Sequence, residues 1–380
     1  MNKNNLVNSY KGTILIGAGF GGSLIRFRGD LIKSWLKMGY KVTAVAPGRE
    51  VENQLHDLGV DYYCIPLNRT GLNPFKDFIL LIYLVRLYAE IKPDHIFLYT
   101  IKPVIFGLLA AFFYRRAQVY AMITGLGYIF NDSGSMRLFL KQLVIWLYRI
   151  ALTGTEKVFF QNPDDIRAFK ELRIVKPGKI VQINGSGVNL EYFSPASLPV
   201  GQVVFLLIAR LLREKGINEY IEAAGIVKAK YPDARFMLVG WAFDDNPSAI
   251  SHQQVENWRS ENMVEIYSET ADVRPFIAES SVYVLPSYRE GTPRTVLEAM
   301  AMGRAIITTD APGCRETLID GINGFLVPVK DSQTLAKVLE RFIIEPELIP
   351  IMGAKSRKIA EEKYDVHKVN AIINRAMRLG

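Results

Sequence analysis

An α/β protein of two doubly wound, parallel-sheet domains is the fold this sequence predicts, on three observations. Short apolar runs alternate with stretches of helical periodicity, the pattern of a parallel sheet with helices on both faces. The alternation runs out at Ser194-Pro195-Ala196-Ser197-Leu198-Pro199 and then restarts, so this segment reads as a linker. A chain of 380 residues, 49% of them hydrophobic, is long enough to give each domain its own core.

Thr13–Ile16 reads as the first strand, Ser23–Met38 as a helix stopped by Gly39, and Lys41–Ala46 as the second strand. Tyr62–Pro66, His95–Tyr99, Val119–Ile123, Lys157–Gln161 and Lys179–Ile183 continue the series. Beyond the linker, Val203–Ile208 is apolar throughout, as a strand covered on both faces should be. Arg235–Val239, Val264–Tyr267, Val282–Leu285 and Ala305–Thr308 follow. The domains are assigned to residues 1–197 and 198–364, facing each other across a cleft. Ligands of such sheets bind outside the carboxyl ends of the strands.

Composition excludes several classes. Cys64 and Cys314 make neither a disulfide framework nor a metal spacing, which points to a reducing compartment. The opening MNKNNLVNSYKG lacks the apolar core of a signal peptide. A spanning helix needs about 20 apolar residues. Pro103–Tyr114 ends at Arg115-Arg116, and Ala117–Asn131 is broken by glycines. A cytoplasmic protein is expected. The net charge of +8 is uneven: residues 1–200 hold 24 Lys/Arg against 14 Asp/Glu, and residues 201–380 hold 22 against 24. The basic half calls for an anionic partner or is ordinary solvated charge. Nucleic acid is not expected, because the charge is spread and no base-stacking motif accompanies it.

In ILIGAGFGGSL, Gly17, Gly19 and Gly22 have the spacing of a dinucleotide-binding turn, with Gly21 between them. A nicotinamide site also needs an acid at the end of the second strand. That strand ends in Ala46-Pro47-Gly48, and Glu50 lies past the proline. The turn therefore serves either tight strand–helix packing or backbone approach to a phosphate or sugar.

The second half carries more chemistry. In IARLLREKGINEYIEAA, Arg210 and Lys215 sit just past a strand's carboxyl end, where two cations can hold a diphosphate. In LPSYREGTPRTVLEAMAMGRAIITTDAPGCRE, Glu290 and Gly291 lie on a loop, and Thr292-Pro293 opens a helix with proline in its first turn. Glu298 falls on that helix, eight residues after Glu290. Two ionised carboxylates are acceptors suited to vicinal sugar hydroxyls. The amides of Gly291 to Arg294 are placed to meet an anion.

Taken together, Arg210, Lys215-Gly216, Glu290 and Glu298, within PS-x-x-EG-x-P-x-x-x-LEAMA-x-G, resemble the retaining GT-B-fold glycosyltransferases of family 4, which use nucleotide sugars. Gly185–Pro195 resembles the family's crossover between domains. Tyr364–Leu379 resembles its final helix, implying that residues 365–380 return to the first domain. The resemblance implies that Arg210 and Lys215 neutralise the leaving diphosphate and that Glu298 holds the ribose. It further implies that Glu290 holds the transferred sugar, with Gly291, Thr292 and Pro293 beside it, and that the Gly19–Gly22 loop closes over the donor. No metal or other cofactor is implied: the sequence has no Asp-x-Asp, since Asp164-Asp165 and Asp244-Asp245 are adjacent pairs.

Many family members carry a histidine on a first-domain loop, where this chain reads YAMITGLGYIF. His95 begins an apolar strand, and His56, His252 and His367 sit in helical surface contexts. No side chain is therefore assigned as general base.

RFRGDLIKSWLKMGYKVTAVAP, RTGLNPFKDF, YTIKPVIFG and ITGLGYIF resemble the bacterial subgroup that extends polyprenyl-diphosphate-linked oligosaccharides, N-acetylgalactosaminyltransferases included. That resemblance puts Arg26, Arg28, Lys102 and Thr124 on the acceptor side and implies a UDP-GalNAc or UDP-GlcNAc donor. It also implies a peripheral position on the inner face of the plasma membrane, where an anionic bilayer meets the basic half. Phe78–Tyr88 and Leu138–Ile150 are aromatic-rich with isolated cations, and are either interfacial helices or buried ones. The rival readings are a nucleotide-sugar epimerase, which needs an acid/base pair, and a non-catalytic glycan-binding subunit, which has no use for a diphosphate clamp.

Overall fold

The computed structural model describes residues 10–68, 73–125, 135–240, 246 and 248–380, and of residues 135–139 the backbone alone. The chain divides into two compact units, Met1–Ile183 with Asn370–Gly380, and Asn184–Val369.

Among the described residues, the first unit holds seven strands: β1 (Thr13–Gly17), β2 (Lys41–Ala46), β3 (Asp61–Cys64), β4 (His95–Tyr99), β5 (Gln118–Ile123), β6 (Lys157–Phe160) and β7 (Ile180–Gln182). All pair in parallel, in the order β3-β2-β1-β4-β5-β6-β7. The chain winds outward from β1 to β3 and then jumps back to β4. The switch point is thus between β1 and β4, where a doubly wound sheet leaves a crevice at its carboxyl edge.

The second unit holds β8 (Val204–Ile208), β9 (Arg235–Val239), β10 (Glu265–Tyr267), β11 (Val282–Leu285), β12 (Ala305–Thr309) and β13 (Gly324–Val327). They too are parallel, in the order β10-β9-β8-β11-β12-β13, with the switch between β8 and β11. Phe205 lies beside Val282 and Leu206 beside Tyr283, so the loops leaving these two strands start side by side. Every residue of β8 is buried.

Four expectations need correction. The helix read over Ser23–Met38 is two helices, Gly22–Arg26 and Gly29–Lys37. The break falls at Arg28, whose side chain turns into the core, where it lies 5.3 Å from the Tyr99 ring centroid and donates to Met122 Sδ at 2.7 Å. Strand β13 was not read at all, because it has four residues and opens on a glycine.

Unit boundaries also move. Ser194–Pro199 is no free linker: Ala196 N–H donates to Met302 O, and Arg304 donates to Ala196 O and Ser197 O. The division therefore falls at Ile183/Asn184 instead of after residue 197, and the return falls at Val369/Asn370 instead of at 365. Finally, the last helix is Val366–Ala376, preceded by a π-helical turn at Ala360–Tyr364. It belongs to the first unit from Asn370 onward, held by Trp35 Nε1 donating to Asn374 Oδ1 (2.8 Å) and Tyr120 OH donating to Met377 O (3.1 Å).

Candidate active site

In the second unit the loops after β8 and β11 hold the residues expected to grip a nucleotide sugar. After β8 the chain passes half-buried Arg210 and makes a 3-10 turn, Arg213–Lys215. Gly216 follows in the left-handed region at φ 71° and caps the helix Ile217–Lys228. A Cβ there would collide with Pro286 O, so both the dihedral and the close approach require glycine. The Lys215 ammonium is delivered to the Glu290 carboxylate, 75 residues away, as an ion pair with both side chains 15% exposed.

Glu290 is held from the other side. Its N–H donates to Pro312 O at 2.9 Å, and Gly313, at φ 82°, packs against its carbonyl. Ser287 Oγ and Tyr288 N–H both donate to Glu214 O, and Thr309 Oγ1 donates to Ser287 O. Three loops thus lock one another before any ligand arrives. The Ala311-Pro312-Gly313 turn was missed as part of the site; its proline–glycine pair after a strand was the available signal.

Gly291 is buried and Thr292 half-buried. Pro293 is the cap of the helix Arg294–Ala301, with ψ 109°, and does not stand in its first turn as expected. Glu298 lies on that helix, 8% exposed, and accepts from Arg294 Nε at 2.9 Å. This i,i+4 pair was readable from helical spacing. Beneath the loops lies Cys314, whose thiol burial pushes up to about 12. A thiol reagent at pH 8 is expected to modify Cys64 in the native protein and leave Cys314 untouched; fast labelling of both would show that the floor of the site opens.

The first unit brings other expected residues together. Gly19, Gly21 and Gly22 form the turn between β1 and the helix Gly22–Arg26, at the switch point. Glu50, read as too far along, folds back: a Cβ at Gly21 would stand 3.0 Å from Glu50 Oε1. Lys102 pairs with Asp77 at 2.7 Å, with side chains 12% and 8% exposed. Asp77 was not singled out, because nothing local links RTGLNPFKDF to YTIKPVIFG. Arg26 is exposed and Thr124 half-buried, whereas Arg28 is 2% exposed and serves the interior instead of lining a surface. Leu126, Gly127 and Asp244-Asp245 lie outside the described residues. His95 is packed between the Tyr40 and Tyr120 rings, and burial lowers its pKa. It is half-buried at the edge of the core, as its place at the start of an apolar strand suggests.

Residues 189–359 match the glycosyl transferases group 1, and residues 21–162 match glycosyl transferase 4-like. EpsD of Bacillus subtilis, a glycosyltransferase by name, is 30% identical over 344 residues, covering 86% of each chain. The chain belongs to the family 4 glycosyltransferases. This glycosyltransferase is also 28% identical, over 94% of its length and 96% of the relative's, to N,N'-diacetylbacillosaminyl-diphospho-undecaprenol alpha-1,3-N-acetylgalactosaminyltransferase of Campylobacter jejuni. Its fold is GT-B: it superimposes on the sucrose-phosphate synthase of Thermosynechococcus elongatus with a TM-score of 0.80, at 20% identity over 97% and 98% of the chains. Against HepE of Anabaena in complex with UDP-glucose the TM-score is 0.79, at 20% identity over 97% and 99%.

Proposed function

We propose that the protein transfers an N-acetylhexosamine from a UDP-sugar to a polyprenyl-diphosphate-linked saccharide during bacterial surface polysaccharide assembly, with retained anomeric configuration and without a metal. The observation that carries this reading is the Lys215–Glu290 pair at the switch point of the second unit, with Glu298 buried on the next helix. A diphosphate arriving there competes for Lys215, and the sugar hydroxyls donate to the carboxylate it leaves. The bond from the anomeric carbon to the β-phosphate oxygen breaks, and the acceptor oxygen bonds to that carbon on the same face. The departing phosphate takes the acceptor's proton, so no side-chain base is needed. Fixed positive charge at Arg210 and Lys215 stabilises the leaving diphosphate and is the main catalytic contribution.

The acceptor and donor classes rest on named relatives. The Campylobacter jejuni enzyme extends a diphospho-undecaprenol sugar. A UDP-Gal:alpha-D-GlcNAc-diphosphoundecaprenol alpha-1,3-galactosyltransferase of Escherichia coli is 26% identical over 82% of both chains. The test is thermal unfolding with a panel of nucleotide sugars in EDTA. One UDP-sugar is expected to raise Tm, and Glu298→Ala to abolish the rise. A shift with NAD alone would make the glycine turn, with Glu50 folded over it, a dinucleotide site.

No helix among the described residues is long and apolar enough to cross a membrane. The reading instead places an anionic bilayer against one face of the first unit. The helix Pro74–Ile91 buries Leu80, Leu84 and Leu87 but exposes Phe75 (74%), Phe78 (58%), Ile79 (42%) and Ile82 (39%), a stripe of i, i+3, i+4, i+7 spacing. Helices Leu108–Tyr114 and Ser135–Ala151 pack into the same core cluster and expose Phe113 (72%) and Trp146 (56%). Lys76 and Arg86 on the first of these helices, Arg115 and Arg116 just past the second, and Arg149 on the third are exposed. Exposed apolar side chains and cations on the same helices suit an acidic bilayer surface. Flotation with phosphatidylglycerol vesicles is expected to carry the protein at low salt, and Phe75→Asp with Phe78→Asp to leave it behind. Equal recovery of both proteins at the bottom of the gradient would remove the membrane reading.

A further inference from the structure

Thr100, the residue that follows β4, is in the left-handed region at φ 69°. Glycine and asparagine enter that region readily, but a β-branched residue there is strained. Such strain persists only where the surroundings hold it, and Thr100 is held on both sides. Its Oγ1 accepts the Gly19 N–H at 2.9 Å, and its carbonyl accepts from Val104 N–H at 3.0 Å. The first bond reaches across the switch point to the glycine-rich turn. The second starts the π-helical turn Pro103–Gly107, directly behind the half-buried Lys102. π-Turns concentrate at functional sites.

The neighbouring residue reinforces the connection. Tyr99 OH lies 2.9 Å from Ser23 Oγ, which itself donates to Phe20 O at 2.6 Å. The last residue of β4 and the one after it therefore grip the glycine turn at two points. At Gly19 a Cβ would stand only 2.6 Å from Thr100 Oγ1, so glycine gives the hydroxyl room to approach. Packing alone would be served by a glycine at position 100 with no strain. What threonine adds is a hydroxyl aimed at one amide.

We infer that Thr100 is a positioning residue for sugar transfer, fixing the Gly19 amide and with it the glycine-rich turn. The inference rests on the reading in which that turn takes part in the reaction. Thr100→Val keeps the shape and removes the hydroxyl, Thr100→Ser keeps the hydroxyl, and Thr100→Gly relieves the strain. The full chain is assayed with UDP-GalNAc and UDP-GlcNAc on an undecaprenyl-diphosphate-linked GlcNAc acceptor, and hydrogen exchange is followed over Ile14–Leu24.

The Val variant is expected to lose about 10²-fold in kcat with KM little changed, as a misplaced positioning element does. Its Ile14–Leu24 segment exchanges faster, and the Ser variant restores both properties. In the Gly variant the relieved strain offsets the lost Gly19 N–H bond and the added freedom of the unfolded chain, so it is expected to melt close to wild type yet turn over as slowly as Val. Loss of rate without loss of stability is what a merely structural threonine would not produce. A Val variant with wild-type kcat and wild-type exchange overturns the inference. A wild-type protein inactive on these substrates, with exchange still accelerated in the Val variant, overturns the substrate reading while upholding the hold of Thr100 on the turn.

Discussion

Replacing Lys215 by alanine is expected to lower kcat for sugar transfer by about 10²–10³-fold, the usual loss when one preorganised group facing developing charge is removed. The reason is the rigidity of its setting. Lys215 ends a 3-10 turn whose next residue is a left-handed glycine pressed against Pro286. The same turn is bonded through Glu214 O to both Ser287 and Tyr288. The ammonium is therefore in place before the diphosphate leaves and needs no reorganisation. Lys215→Arg restores only part of the rate, because a planar fork replaces a compact point charge in a site shaped for the latter. Glu290→Gln also slows transfer, and the double variant loses less than the two single losses multiplied, since the groups form one ion pair. Initial-rate kinetics on variants that melt like the wild type measure all four. A Lys215→Ala enzyme within about twofold of wild-type kcat would remove Lys215 from the chemistry.

Arg304→Leu has the largest expected effect on stability, about 3–5 kcal/mol, the range for breaking a buried charged network. Arg304 is fully buried and donates to four backbone carbonyls: Ile277 O (2.8 Å), Ala196 O (2.9 Å), Ser197 O (3.0 Å) and Ala278 O (3.1 Å). Leucine strips the half-buried Ala196 and Ala278 carbonyls and the Ser197 carbonyl of the guanidinium N–H groups, while Ile277 O keeps the Ser280 N–H and Oγ, and each unfilled acceptor away from water is costly. Lysine has one nitrogen and recovers only part of the loss. Desolvation brings the Arg304 pKa down to about 10, so folded and unfolded chains both carry its charge near neutrality. Only above about pH 10 does the unfolded chain bind the extra proton, so this group's contribution rises with pH there and is flat below. The deficit should thus be the same at pH 6 and pH 8. Denaturant unfolding at both values checks it; an unchanged midpoint would mean that solvent reaches those carbonyls. Two of the four lie in Ser194–Pro199, so the variant also frees the segment that the sequence reads as a linker.

What the sequence determined by itself was local. Strand positions follow from apolar runs, and eleven-odd residues of motif around Glu290 and Glu298 name the chemistry because loop, helix start and acid all lie within one stretch. The family followed from the same stretch. Composition and periodicity report how one segment meets its nearest surroundings, and that suffices for elements and motifs. The tertiary structure decided what is brought together over distance. Strand order sets Lys215 against Glu290 and Thr100 against Gly19, pairs separated by 75 and 81 positions. It turned Arg28 inward and paired Lys102 with Asp77, although both cations read as surface charge facing an acceptor. It left Phe75, Phe78 and Ile79 in solvent on a helix whose sequence is apolar nearly all round. The physical reason is common to all of these: a side chain's burial and partners depend on which strand lies next to its own, and no local pattern encodes that neighbour.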